Sequence, residues 1–232
     1  MKSVTGMTWK VESVPERLIL KIKQDFNISY LLSKIFAAKK YTDEEIYNSL
    51  NNNISLEINY KNEDFKKASL FLLESLKKKE KILIFGDYDV DGYSSTYLLY
   101  DFIKHMKIDC DYYIPDRISD GYGPNIKLLK KLIKKKNYKL VFFVDCGTNS
   151  FEEINYLEMN GIKTVVIDHH QLQKKILLKN TVIINPLKIN PKNKFSYFCA
   201  TTLVYFFLKY MYAILNKKIY IDFNKYLFFS SI

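Results

Sequence analysis

Ile82-Leu83-Ile84-Phe85-Gly86-Asp87-Tyr88-Asp89-Val90-Asp91-Gly92 decides how the chain is read. An apolar run of strand type stops abruptly in three aspartates at alternate positions, closed by a glycine. Carboxylates gathered this closely repel one another, so their placement at a strand tip points to cations that neutralise them. Two further segments have the same build. Leu140-Val141-Phe142-Phe143-Val144 runs into Asp145-Cys146-Gly147, and Thr164-Val165-Val166-Ile167 runs into Asp168-His169-His170. Each apolar strand delivers acid or imidazole at its C-terminal end, and in an open parallel sheet those ends share one crevice.

Outward from this stretch the texture is alternating. Strand 82–86 is followed by a helix from about Ser94 to Met106, strand 110–114, helix 125–136, strand 140–145, helix 150–160, strands 164–168 and 181–184, and a helix from about Cys199 to Leu215. Such alternation predicts an α/β fold with a mostly parallel sheet and helices on both faces. Before it, a helical N-terminal region is expected. Pro15 opens a helix through about Asp25, Ser29 caps a short one, and Thr42-Asp43-Glu44-Glu45 has the form of a capping box. Asn51-Asn52-Asn53 breaks the pattern as a linker would. A longer helix, about 63–79, aligns Phe65, Ala68, Leu72 and Leu76 on one face. The chain stops on the apolar run Tyr226-Leu227-Phe228-Phe229-Ser230-Ser231-Ile232, which reads as an interrupted element.

The net charge of +11 suggests a polyanionic partner. A blander reading competes: only two residues, Arg17 and Arg117, are arginine, and abundant Lys, Asn, Ile and Tyr fit an AT-rich coding bias. The three cysteines, Cys110, Cys146 and Cys199, are scattered and form no CxxC, which argues against a disulfide framework or a zinc ribbon. The N-terminus lacks an apolar signal core. The run from Phe195 to Leu208 is too short for a bilayer span and reads as a buried helix, so a soluble cytoplasmic protein with no membrane partner is expected. Its aromatics read as core rather than as a base-stacking platform, Cys146 as a packed residue rather than a nucleophile, and His105 as a surface residue late in a helix.

Taken together, the Asp87–Gly92, Asp145–Gly147 and Asp168–His170 segments resemble the DHH phosphoesterase superfamily, and within it the RecJ-type single-strand-specific 5′→3′ DNA exonucleases. Tyr113-Ile114-Pro115-Asp116-Arg117, Gly121-Tyr122-Gly123, Ile183-Ile184-Asn185-Pro186 and the region after Trp9 add to the likeness. The resemblance implies a helical extension over 1–62 and a DHH phosphoesterase domain over 63–232 that is incomplete at its C-terminus. It implies a two-metal site for Mn2+ or Mg2+, with Asp145 bridging, Asp89 on one metal, Asp91 and His169 on the other, and Asp87 beside the first. It gives His170 and Arg117 to the substrate phosphate and makes Asp168 the orienting partner of the histidines. Arg117 has a second reading, as an ion-pair partner of Asp116 or Asp120. Single-stranded DNA is the implied partner, in recombination and repair, with a single-strand-binding protein and a helicase as further candidates.

The chain departs from the pattern at Phe198-Cys199-Ala200-Thr201-Thr202, where the family carries glycines. The family's last aspartate ligand falls beyond Ile232. Two alternatives stay open: a relative acting on oligoribonucleotides or cyclic dinucleotides, and an inactive nucleic-acid-binding fragment. The former relatives carry histidine four residues before the central aspartate, a position held here by Phe85.

Overall fold

A computed structural model describes residues 6, 8, 13–51, 63–173, 178–188, 198–215 and 221–230. Trp9, Asn52, Asn53 and the final Ser231-Ile232 lie outside them. The chain divides into two compact units, residues 1–57 and 58–232. The first holds α1 (Glu16–Phe26), α2 (Tyr30–Ala38) and α3 (Asp43–Asn51). Ile19, Ile22, Phe36, Ala37 and Ile46 form its buried cluster. Its caps follow the sequence. Ser29 Oγ accepts from the Leu32 amide, Thr42 Oγ1 accepts from the Glu45 amide, and Glu45 reciprocates at the Thr42 amide.

The second unit begins with α4 (Glu63–Lys78) and continues as β1 (Lys81–Phe85), α5 (Val90–His105), β2 (Cys110–Tyr113), α6 (Ile126–Lys135), β3 (Tyr138–Val144), α7 (Phe151–Met159), β4 (Lys163–Ile167), β5 (Thr181–Ile184), α8 (Ala200–Ile214) and α9 (Phe223–Ser230). The five strands are all parallel, in the order β2-β1-β3-β4-β5. Near-continuous Val, Ile, Leu and Phe in β1, β3, β4 and β5 is what a parallel sheet covered on both faces requires. Alternate residues point to opposite sides. Leu83, Phe85, Val141, Phe143 and Val166 join Leu129 of α6 and Ile154 and Leu157 of α7 in one cluster. On the other side Phe142 meets Phe207 of α8, which also meets Phe65 of α4. The expected α/β architecture is present.

The chain connects β1 leftward to β2 and β3 rightward to β4, so with right-handed crossovers α5 and α7 lie on opposite faces. The reversal falls between β1 and β3. In open α/β sheets the crevice outside that switch point is the place where ligands bind.

One expectation needs correction. α5 starts at Val90, four residues before the expected Ser94, because the Asp89 side chain caps it by accepting from the Gly92 amide at 2.9 Å. Asp91 and Gly92 therefore stand in its first turn. The apolar end forms α9, described through Ser230. Tyr226 is buried there and donates to Asp101 of α5, and Phe229 packs on Tyr97.

Candidate metal centre

The ends of β1, β3 and β4 bring their acids together at the switch point. Asp87, Asp89 and Asp145 each offer an oxygen such that all three atoms lie within 4.8 Å of one another, and Asp145, His169 and His170 form a second such group. Asp145 belongs to both. Its backbone is left-handed, with φ 59°, a conformation that aspartate tolerates better than most residues. The turn that follows needs Gly147: its φ is 98°, and a Cβ there would come within 2.8 Å of Phe143.

Asp145 is buried, and neither of its carboxylate oxygens has a hydrogen-bond partner among the described residues. His169 Nε2 stands 3.3 Å from Oδ1, close enough for an ion pair, but out of hydrogen-bond geometry. Burial pushes the Asp145 carboxyl well up from its usual range; the neighbouring His169 ring works against this, and the charges of Asp91 and Asp89 add to it. Asp87 repeats the pattern: it is buried, its Oδ1 has no partner, and burial raises its pKa. Buried carboxylate oxygens without donors are an unstable arrangement unless a proton or a cation completes them. This oxygen-rich set, in which carboxylates outnumber the imidazoles of His169 and His170, suits a hard divalent cation such as Mn2+ or Mg2+ better than zinc.

Asp91 behaves differently. It is in neither three-residue group, although its Oδ2 lies 3.7 Å from His169 Nε2. Its carboxylate accepts from the amides of Ala200 and Thr201 and from the Thr201 hydroxyl. Burial works to raise its pKa, but these donors overcome that and hold it below the usual range.

Asp168 is the hub of the histidine turn. Oδ1 accepts from the His169 and His170 amides and from His170 Nδ1 at 2.7 Å, while Oδ2 accepts from the Thr148 amide. Burial opposes ionisation, yet the His170 and Thr148 hydrogen bonds bring Asp168 down to about 2. The same contact lifts His170 to about 9, so its ring is cationic at neutral pH. Asn185 fixes the turn from β5 by donating to the His170 carbonyl and to Thr148 Oγ1.

Arg117 makes no ion pair with Asp116 or Asp120 among the described residues. Asp120 accepts instead from Tyr113 and the Asp116 amide. The exposed Arg117 guanidinium sits 5.4 Å from the Tyr88 ring centroid. Tyr88 meets Tyr122 edge-on, and the Tyr122 hydroxyl lies 3.3 Å from His170 Nε2. A small pocket beside it is lined by Tyr122, Gly123, Gly147, Thr148 and His170. Sequence reasoning gave Tyr88, Tyr122, Thr148 and Thr201 no part in the site. Tyr122 carried a signal in its flanking glycines; Thr201 carried none, because its partner is 110 residues away. Elsewhere Cys146 is buried with its thiol pKa pushed up, as a packed residue requires, His105 is exposed at the end of α5, and Tyr205, Phe206 and Phe207 are core.

A family model described as "DHH family, N-terminal domain" matches residues 81–227. The chain belongs to the DHH family. Among relatives in that family, it is 26% identical over 174 residues to the single-stranded-DNA-specific exonuclease RecJ of Bacillus subtilis, covering 71% of this chain and 21% of that protein. It is 36% identical over 116 residues to the RecJ of Haemophilus influenzae, covering 50% and 20%. A crystal structure of an exonuclease RecJ bound to manganese superposes with a TM-score of 0.59 at 26% identity, over 66% of this chain and 38% of that one. The chain thus spans about a fifth of the length of the curated relatives it matches. No described helix is long and apolar enough to cross a membrane.

Proposed function

We propose that this DHH-family chain carries the metal-dependent phosphodiesterase centre of a RecJ-type 5′→3′ exonuclease that acts on single-stranded DNA in recombination and repair. The observation that carries the reading is Asp145: a buried carboxylate with two orphaned oxygens, shared by two clusters of ligand atoms at the switch point. The relatives' names supply the substrate class, and the manganese of the similar structure supports the choice of Mn2+ or Mg2+.

The chemistry supplied by a bound pair of cations is charge stabilisation on the attacking and departing oxygens of a phosphodiester, together with activation of water. In this reading Asp145, shared by both ligand groups, would serve both cations. Asp87 and Asp89 serve one side, Asp91 and His169 the other. His170, held cationic and in fixed orientation by Asp168, presents Nε2 toward the scissile phosphate as a charge-assisted donor. Arg117 takes a further phosphate oxygen through its planar fork. Tyr88 and Tyr122 offer ring faces to a terminal base. A single-strand-binding protein and a helicase are natural partners for such an activity, and the cytoplasm its natural place.

The test is digestion of a 5′-labelled single strand with Mn2+ by the complete protein that contains this chain, compared with its Asp145→Ala variant. Loss of the shared carboxylate should lower the rate on the order of a thousandfold, the weight of several kcal/mol of charge stabilisation. Undiminished turnover by the folded variant contradicts the reading. Cleavage of short oligoribonucleotides or cyclic dinucleotides, with no action on the strand, would move the chain to the other branch of the family.

A further inference from the structure

Asp91 joins two structures that the sequence keeps far apart. α8 begins at Ala200, and its N-cap, Cys199, makes no side-chain capping bond. The first amides of a helix have no partner within it and need an outside acceptor. Asp91 supplies one. Its Oδ2 accepts from the Ala200 amide at 2.7 Å, and its Oδ1 from the Thr201 amide at 2.8 Å. The Thr201 hydroxyl adds a bond of 2.6 Å to Oδ1 and lies 3.0 Å from the Asp91 carbonyl oxygen.

These contacts divide the carboxylate. A carboxylate oxygen has room for about two donors. Oδ1 takes both Thr201 donors, while Oδ2 takes one bond from Ala200 and lies 3.7 Å from His169 Nε2, with the Cys199 side chain a further neighbour of the carboxylate. Thr201 is only 2% exposed, so its hydroxyl cannot exchange this partner for bulk water.

We propose that Thr201 is a positioning residue for the metal centre: its hydroxyl locks Oδ1 of Asp91 to the N-terminus of α8 and leaves Oδ2 as a single, fixed cation ligand. This rests on the metal reading above. Without the hydroxyl, Asp91 keeps both amide bonds but gains a free lone pair on Oδ1 and freedom to rock, so its ligand oxygen is no longer pre-placed.

The experiment is calorimetric titration of Mn2+ into the metal-free chain, with far-UV circular dichroism to verify folding. Thr201→Val keeps the shape and both amides and removes the hydroxyl, Thr201→Ser restores it, and Asp145→Ala is the reference for a broken site. Thr201→Val should weaken Mn2+ affinity about tenfold, the lower end for a lost partner behind a metal ligand. Thr201→Ser should bind within about twofold of the unaltered chain. If Thr201→Val does not fold, Thr201→Ala, which cannot clash, takes its place with the same expectation. Loss of binding in Asp145→Ala with full affinity in Thr201→Val overturns the role of Thr201 alone, as does a Thr201→Ser as weak as Thr201→Val. Equal binding by the unaltered chain and Asp145→Ala overturns the metal reading and this inference with it.

Discussion

Asp145 sets the terms at the scale of single residues. Burying a carboxylate without donors costs stability, and the cost persists only because the position serves something else. Asparagine at 145 tolerates the same left-handed backbone, removes the charge and gains a donor that can reach its acidic neighbours. Asp145→Asn should therefore stabilise the metal-free chain, by about 1–3 kcal/mol, while Mn2+ no longer raises the melting temperature. Urea denaturation without metal, followed by thermal melts across a Mn2+ series, measures both effects. A variant less stable than the unaltered chain, or one still stabilised by Mn2+, contradicts the role given to this carboxylate. The aspartates themselves were legible in sequence, because no turn needs three acids at alternate positions. Their division of labour was not. Asp89 caps α5 as well as facing the cluster, and Asp91 caps α8, partnerships that local patterning cannot express.

Among the elements, β1, β3, β4 and β5 were read closely because each is an apolar run with a sharp polar stop. Helix starts were harder. α5 begins within the acidic motif, where a side chain and not a change of periodicity marks the boundary. Gly92 shows how tight that junction is: a Cβ there would lie 2.4 Å from the Asp87 carbonyl oxygen, so the first turn of α5 rests directly on the strand-end loop. The edge strand β2 is secured by charge. Asp111 accepts from Lys136 and Tyr138 and pairs with Lys81. Its partial burial opposes ionisation, but these partners bring its carboxyl down to about 2. A folded pKa below the unfolded one means that stability is fully present above about pH 4 and lost as pH falls toward about 2. Asp111 keeps 27% exposure, so solvent screening limits the contribution to about 1 kcal/mol. Urea midpoints of the chain and of Asp111→Asn should therefore differ at pH 6 and converge as pH falls through that window. A constant difference down to pH 2 would show that the pairing does not drive the acid dependence.

For the molecule as a whole, the strand order gathers the chemistry. The acids leave β1 and β3 on either side of the reversal in connectivity, and β4 adds the histidines from the next position. Sequence could place each motif at a strand end, but not which strands are neighbours, so the convergence of Asp87, Asp89, Asp145 and His169 was an expectation until the topology was known. Tyr226 and Phe229 of α9 reach α5, and Phe223 meets Tyr205 of α8, contacts that the apolar run could not reveal in sequence. The central claim is that the switch-point cluster is a divalent-cation centre. The most direct measurement is anomalous diffraction at the manganese edge from crystals of this chain grown with saturating Mn2+. The account predicts anomalous density at coordination distance from the Asp145 carboxylate, with Asp89 or His169 completing its shell. Ordered side chains at 87, 89, 145 and 169 with no anomalous density among them, at a concentration that saturates Mn2+ sites elsewhere on the chain, would contradict it.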